Sequence, residues 1–197
     1  VQTLSQLFTL SWALGTQPLP ANNRVAMTTN AGGAAALAAD SLDFHGFRLA
    51  EISPEIQERL RTKLNPSAQV SNPVDMLGSV SPEDYKWSLE NLNADDGVDV
   101  LLPILVPQAL VDTPGVANAW VEINKTTQKT LLSILVGKAS TQEAEKTLNK
   151  AGVPVFTYPD DIGPVLKGMW DYKQYLLSEP FEKVTVDKVD KNKMAAA

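Results

Sequence analysis

From Arg24 nearly to the end of the chain, short apolar runs alternate with longer stretches whose apolar residues recur every three or four positions. Alternation of these two patterns predicts alternating strands and helices. "RVAMTTN" (24–30) is compact and apolar, stops at a glycine pair, and predicts a first strand. The stretch after it sets Ala35, Ala38, Ala39 and Leu42 on one helical face and ends near Gly46, since glycine commonly follows a helix C-terminus. "FRLAEI" (47–52) predicts a second strand. Ser53-Pro54-Glu55 then starts a helix, with serine as N-cap, proline at the first helical position and an acid in the first turn. Ile56, Leu60 and Leu64 form its buried stripe.

Ser81-Pro82-Glu83 repeats that device, and Thr113-Pro114 repeats it without the acid. Helices over 81–94 and 113–125 follow, with Tyr85, Leu89 and Leu92 on one face and Ala117, Trp120 and Val121 on the next. Between them "VDVLLPILVP" (98–107) is nearly all apolar, as a central strand covered on both faces must be. "TLLSILVG" (130–137) is another strand, and Ser140 with Glu143 predicts a capping box for a helix over 141–151. "VPVFTY" (153–158) is the last strand and 161–178 the last helix. Five strands separated by helices predict a doubly wound parallel sheet with helices on both faces, a flavodoxin-like or Rossmann-like α/β domain over 24–180. Residues 1–17 read as a helix from a preceding unit, and "QPLPANN" (17–23) as a linker. Residues 181–197 read as a charged tail, and its closing alanines, either tail or cloning residue, are set aside from the fold.

Composition narrows the chemistry. With 197 residues, 44% of them hydrophobic and 20% charged, the chain can bury a sizeable core. A net charge of −6 suits neither nucleic acid nor an anionic membrane surface. No cysteine is present, which excludes a disulfide, a thiolate metal site and a cysteine nucleophile. His45 is the only histidine, so a multi-histidine metal site is excluded too. No run approaches the ~20 apolar residues of a membrane helix. The opening "VQTLSQLFTLSWALG" lacks the basic leader of a signal peptide; the expectation is a cytoplasmic protein whose chain starts here in mid-sequence.

Three clusters carry candidate chemistry. Asn30-Ala31-Gly32-Gly33, followed by Ala34, lies where a first strand runs into a helix. In doubly wound sheets ligands gather at the carboxyl ends of strands, and a helix start there presents unpaired amides and a positive dipole end to an anion. The plainer reading is that the glycines serve a tight turn and the alanines serve packing, and spacing alone leaves both standing. The dinucleotide fingerprint and the Walker pattern are absent. The second cluster, "SNPVDMLG" (71–78), holds Asn72, Pro73, Val74 and Asp75. Proline keeps Asn72 extended, and the polar pair either builds the loop or reaches a ligand. The third, "ILVPQALVD" (104–112), leaves the central strand and offers Pro107 and Gln108 as a pocket wall. His45, beside Gly46, reads as a helix-end residue, and Asp95-Asp96 as a turn.

"RVAMTTNAGGAAALAAD", "SNPVDMLG", "LLPILVPQALVD" and "AGVPVFTYPDD", in this order, resemble the flavodoxin-like domain of the ADP-forming acyl-CoA synthetases, relatives of succinyl-CoA synthetase. The resemblance runs from about Arg24 to Tyr175. It implies an enzyme that interconverts acid, CoA and ATP with acyl-CoA, ADP and phosphate through an acyl phosphate and a phosphohistidine. It also implies that the histidine, the CoA-binding domain and the ATP-grasp domain lie elsewhere, that ATP or ADP, Mg2+ and CoA serve the complete enzyme, and that this chain alone binds none of them and is inactive. Asn30, Ala31, Gly32, Gly33 and Ala34 would then face the phosphohistidine, with Asn72, Pro73, Val74, Asp75, Pro107 and Gln108 around the acyl group. Asp75, itself an anion, is expected to fix its loop rather than touch phosphate. Two other readings stay open: a non-catalytic, acyl-CoA-sensing copy of this architecture in a protein acetyltransferase, and a free-standing small-ligand module.

Overall fold

The computed structural model describes residue 1 and residues 3–178, so the tail expected over 181–197 lies outside the described residues. The chain opens with α1 (Leu4–Thr16), β1 (Arg24–Thr29), α2 (Gly32–Phe44), β2 (Arg48–Leu49) and α3 (Pro54–Arg61). It continues through β3 (Val74–Asp75), α4 (Pro82–Ala94), β4 (Val100–Leu105) and α5 (Thr113–Thr126). It ends with β5 (Thr130–Leu131), β6 (Ser133–Leu135), α6 (Lys138–Lys150), β7 (Val155–Phe156) and α7 (Ile162–Leu177), the last entered through a 3-10 turn at Pro159–Asp161.

All strand pairs are parallel, in the order β2-β1-β4-β6-β7. The sheet is built outward from β1 and β4, which pair from Val25↔Val100 to Thr29↔Ile104. Their flanks are composite. β2 pairs with the start of β1 at Arg24 and Val25, and β3 with its end at Thr28 and Thr29, both on the side of β1 away from β4. β5 and β6 divide β4 in the same way; the run expected at 130–137 is interrupted at Leu132, whose amide still donates to the Leu101 carbonyl at 3.1 Å.

Side chains alternate across the sheet, so β4 serves two cores at once. Leu101 and Leu105 join the core under α3, α4, α5 and α6, with Leu60, Leu89, Trp120 and Leu148. Val100, Leu102 and Ile104 join the core under α1, α2 and α7, with Ala13, Leu42 and Met169. This is the expected doubly wound, flavodoxin-like α/β fold.

The helix starts follow local chemistry, with two departures. Ser53 accepts from the Ile56 amide at 3.4 Å, and Ser81 and Asp84 form a reciprocal capping box. α5 is capped by Asp112 rather than Thr113: the carboxylate, a stronger acceptor, takes the Gly115 amide at 3.0 Å. No Ser140–Glu143 box forms. α6 starts three residues earlier than expected, at Lys138, because Gly137 takes φ +90°, and Ser140 donates back to the Gly137 carbonyl at 3.0 Å.

The segment before β1 is fastened to the sheet. Gln17 donates to Asn124 and to the Gly152 carbonyl and accepts from the Leu131 amide, at 3.0, 2.7 and 2.9 Å. Thr130 donates to the Pro18 carbonyl, and Lys173 to those of Pro20 and Ala21.

At the amino edge, Asp99 accepts from the Arg24 guanidinium at 2.7 and 2.8 Å, and Asp95 from the amides of Ser53 and Gly97 at 2.8 Å each. Burial pushes both carboxyls up, but these donors outweigh it and hold both below their ordinary value of 3.8. A depressed carboxyl stabilises the fold above its unfolded-state value and loses that contribution as pH falls through the folded-state value. Urea midpoints should therefore fall on acidification below about pH 5. Asp99→Asn should shrink that fall; an unchanged pH dependence in the variant would assign the acid sensitivity to other groups.

Candidate functional site

The register places three strand exits side by side. Thr29 lies opposite Asp75 on one flank and Ile104 on the other, so β1, β3 and β4 end at one carboxyl edge. The glycine loop and the Asn-Pro-Val-Asp loop thus share an edge, with the Met76 amide donating to the Thr29 carbonyl at 2.8 Å.

At the end of β1, the Thr29 hydroxyl bridges Ala31, accepting from its amide at 3.0 Å and donating to its carbonyl at 3.1 Å. The amides of Ala34 and Ala35 turn back to the Ala31 carbonyl at 3.2 and 3.4 Å. The amides of Gly32 and Gly33 have no acceptor among the described residues, as is usual for the first turn of a helix. No side chain caps α2. The unpaired amides at this helix start are therefore two, fewer than the run from Asn30 to Ala34 suggested.

Neither glycine has a positive φ, so the tight-turn reading does not account for them. Gly32 has a reason within the chain: a methyl group there would lie 3.1 Å from the Asp75 carboxylate. Gly33 has none, with open space for 4 Å around the position of its missing side chain.

The polar residues expected to meet a ligand brace the loops instead. Asn30 is 3% exposed and turns into the sheet, donating to the Val106 carbonyl at 2.8 Å and accepting from the Val106 amide at 2.9 Å. Asn72 corrects the expectation further. Its carboxamide donates to the Val25 and Ala50 carbonyls at 2.7 and 3.0 Å and accepts from the Met27 amide at 2.9 Å. It fills the gap on the flank of β1 between β2 and β3, where the Met27 amide and the Ala50 carbonyl would otherwise be unpaired. It adds a second bond to the Val25 carbonyl, which the Ala50 amide already meets at 2.8 Å, and has no donor left for a phosphoryl or acyl oxygen. Val74 is fully buried in β3, while Pro73 is half-buried and its carbonyl accepts from Gln69 at 3.3 Å.

Asp75 behaves as expected: one carboxylate oxygen accepts from the Leu77 amide at 3.0 Å, and the other lies beside Gly32. Gln108 is exposed and folds its carboxamide over Gly78, while half-buried Pro107 lies near Gly137. The three loops therefore close a ring through Asn30–Val106, Gln108–Gly78 and Asp75–Gly32.

His45 stands at the C-terminal end of α2, away from this edge, with Nδ1 bonded to the Ser41 carbonyl at 2.7 Å. Tyr85 is the residue that periodicity reads only as core. Its hydroxyl donates to the Ile104 carbonyl at 2.6 Å and lies 3.5 Å from Asn30 Oδ1. The available signal was its phenol, since a buried tyrosine hydroxyl needs a partner.

The Ligase-CoA domain family matches residues 25–174. The chain belongs to the Ligase-CoA domain family. Among relatives of this Ligase-CoA domain, the alpha subunit of acetate–CoA ligase [ADP-forming] II of Pyrococcus furiosus is 37% identical over 166 residues, covering 81% of this chain and 36% of that protein. Acetate–CoA ligase [ADP-forming] of Methanocaldococcus jannaschii is 33% identical, over 93% of this chain and 28% of that protein. A crystal structure from Pyrococcus horikoshii superposes with a TM-score of 0.83 at 32% identity, covering 88% of this chain and 41% of that one. The apo acetyl-coenzyme A synthetase 1 of Ca. Korarchaeum cryptofilum shares the fold, with a TM-score of 0.82 at 23% identity over 88% of this chain and 38% of that one. This Ligase-CoA domain thus spans about a third of these curated relatives.

The two glycines should respond oppositely to a methyl group. Gly33→Ala meets no atom and should stabilise the chain by about 0.4–1 kcal/mol through lower unfolded-state entropy. Gly32→Ala must displace Asp75 and should destabilise it. Urea denaturation of both variants decides; equal effects would remove the distinction between the glycines.

Proposed function

We propose that this chain is one domain of a cytoplasmic ADP-forming acyl-CoA synthetase. The complete enzyme would interconvert a small organic acid, CoA and ATP with acyl-CoA, ADP and phosphate, by way of an acyl phosphate and a phosphohistidine. Other domains or subunits would supply the phosphohistidine, the CoA site and the ATP-grasp site with its Mg2+. Family membership and the ADP-forming acetate–CoA ligases among the relatives support this reading.

The observation that carries the local role is Gly33. A helical glycine costs about 0.5–1 kcal/mol relative to alanine. At residue 33 neither backbone geometry nor packing within the chain explains it, and its amide is unpaired. A phosphoryl group seated end-on at α2 explains the vacancy. Phosphate carries roughly −1.5 to −2 charges near pH 7, and a helix end contributes about 0.3–2 kcal/mol per anionic contact. The Asp75 carboxylate beside Gly32 opposes the same anion, so this domain alone holds phosphate weakly. A weak seat suits a group that must be passed on. Pro107 and Gln108 would form the acyl-side wall.

Inorganic phosphate titrated into the 197-residue chain should shift the Gly32 and Gly33 amide resonances before any others. Gly33→Val should abolish those shifts while leaving the remaining resonances in place. Phosphate shifts centred elsewhere, or preserved in the valine variant, would overturn the assignment.

A further inference from the structure

Under the candidate site lies a polar network that the anion reading does not use. The Asn30 carboxamide pairs with both backbone groups of Val106, as a neighbouring strand residue would, and so joins the start of α2 to the exit of β4. Tyr85, fully buried on α4, supports the same junction from below by bonding the Ile104 carbonyl and approaching Asn30 Oδ1. The Thr29 hydroxyl closes the turn between Asn30 and Gly32. From Tyr85 to Gly32, each step is a hydrogen bond or a peptide link.

We propose that Asn30 is a positioning residue: held by Tyr85, it fixes the Gly32 and Gly33 amides relative to the Pro107–Gln108 wall, so that the two loops move as one body. This rests on the anion-seat reading of those amides, but the coupling itself requires no ligand.

The carboxamide suits the role because it supplies a donor and an acceptor in one plane and carries no charge beside a helix start. A carboxylate would leave the Val106 carbonyl without a donor and place like-signed oxygens together. A protonated carboxyl would restore both bonds. Of the titratable groups near this junction, Tyr85 from α4 approaches Asn30 Oδ1, and Asp75 from the β3 flank lies beside Gly32. Burial first, and then the Asp75 charge, push the Tyr85 hydroxyl well above its ordinary value, so it remains a donor throughout.

The test compares two variants of the full chain by amide NMR. At neutral pH, Asn30→Asp should displace Gly32 and Gly33 together with Val106 and Gln108. On acidification both sets should return toward the wild-type positions recorded at the same pH, with one shared midpoint. A merely structural defect would give no such return. Tyr85→Phe changes no charge and stays informative even where the aspartate variant fails to fold. It should move the same two sets together and weaken inorganic phosphate binding at Gly32 and Gly33 severalfold. Displacement of one loop alone in the folded variants, or unaltered phosphate affinity in Tyr85→Phe, overturns the proposal. Absence of phosphate binding in the wild-type chain would instead overturn the anion-seat reading, and the paired displacements would still decide whether Asn30 couples the loops.

Discussion

Burial of β4 on both faces is the constraint from which the rest of the structure follows. A strand with no exposed side cannot place a polar side chain anywhere along its length without a partner. All six residues from Val100 to Leu105 are buried, and none carries a polar side chain. Chemistry is thereby displaced to the strand ends. Charged groups collect there in two different ways. The amino edge has Asp95 and Asp99 held by backbone amides, Arg24 and the nearby Lys129. The carboxyl edge carries the carboxylate of Asp75 and the unpaired amides of Gly32 and Gly33.

The carboxyl edge also shows how polar side chains substitute for missing strand pairs. Because β2 and β3 share one flank of β1 without meeting, backbone groups between them need partners from outside the ladder. Asn72 supplies them through its carboxamide, and Asn30 does the same beyond the end of β4. Each asparagine resembles a ligand contact in the sequence and is a single-residue extension of the sheet in the structure.

The alternation of apolar runs and capped helices was enough to read the sheet, its parallel sense and the helices on both faces. It was enough because each of those features depends on local spacing. Less legible were features decided by neighbours distant in sequence. β3 is two residues long and owes its strand character to Thr28 and Thr29, far back along the chain. The division of 130–137 at Leu132 likewise depends on what β4 offers at each position. In the site, the shared edge and the loop-fixing role of Asp75 were anticipated, because both follow from strand direction and carboxylate chemistry. The inward turn of Asn30 and Asn72 was not. An asparagine before a glycine or proline reads identically whether its amide points to solvent or into a sheet. Only the backbone groups left unpaired beside it decide.

Gln17 bears on where the folding unit starts. The region matched to the family begins at Val25, eight residues after Gln17. Homology and mechanics draw different boundaries here. A domain cut at the homology boundary would leave the Leu131 amide, the Gly152 carbonyl and the Asn124 carboxamide oxygen without the partner that Gln17 gives them. It would also uncover the apolar side of α7 against which α1 lies. These contacts pack α1 and the prolines that follow it against the sheet and α7.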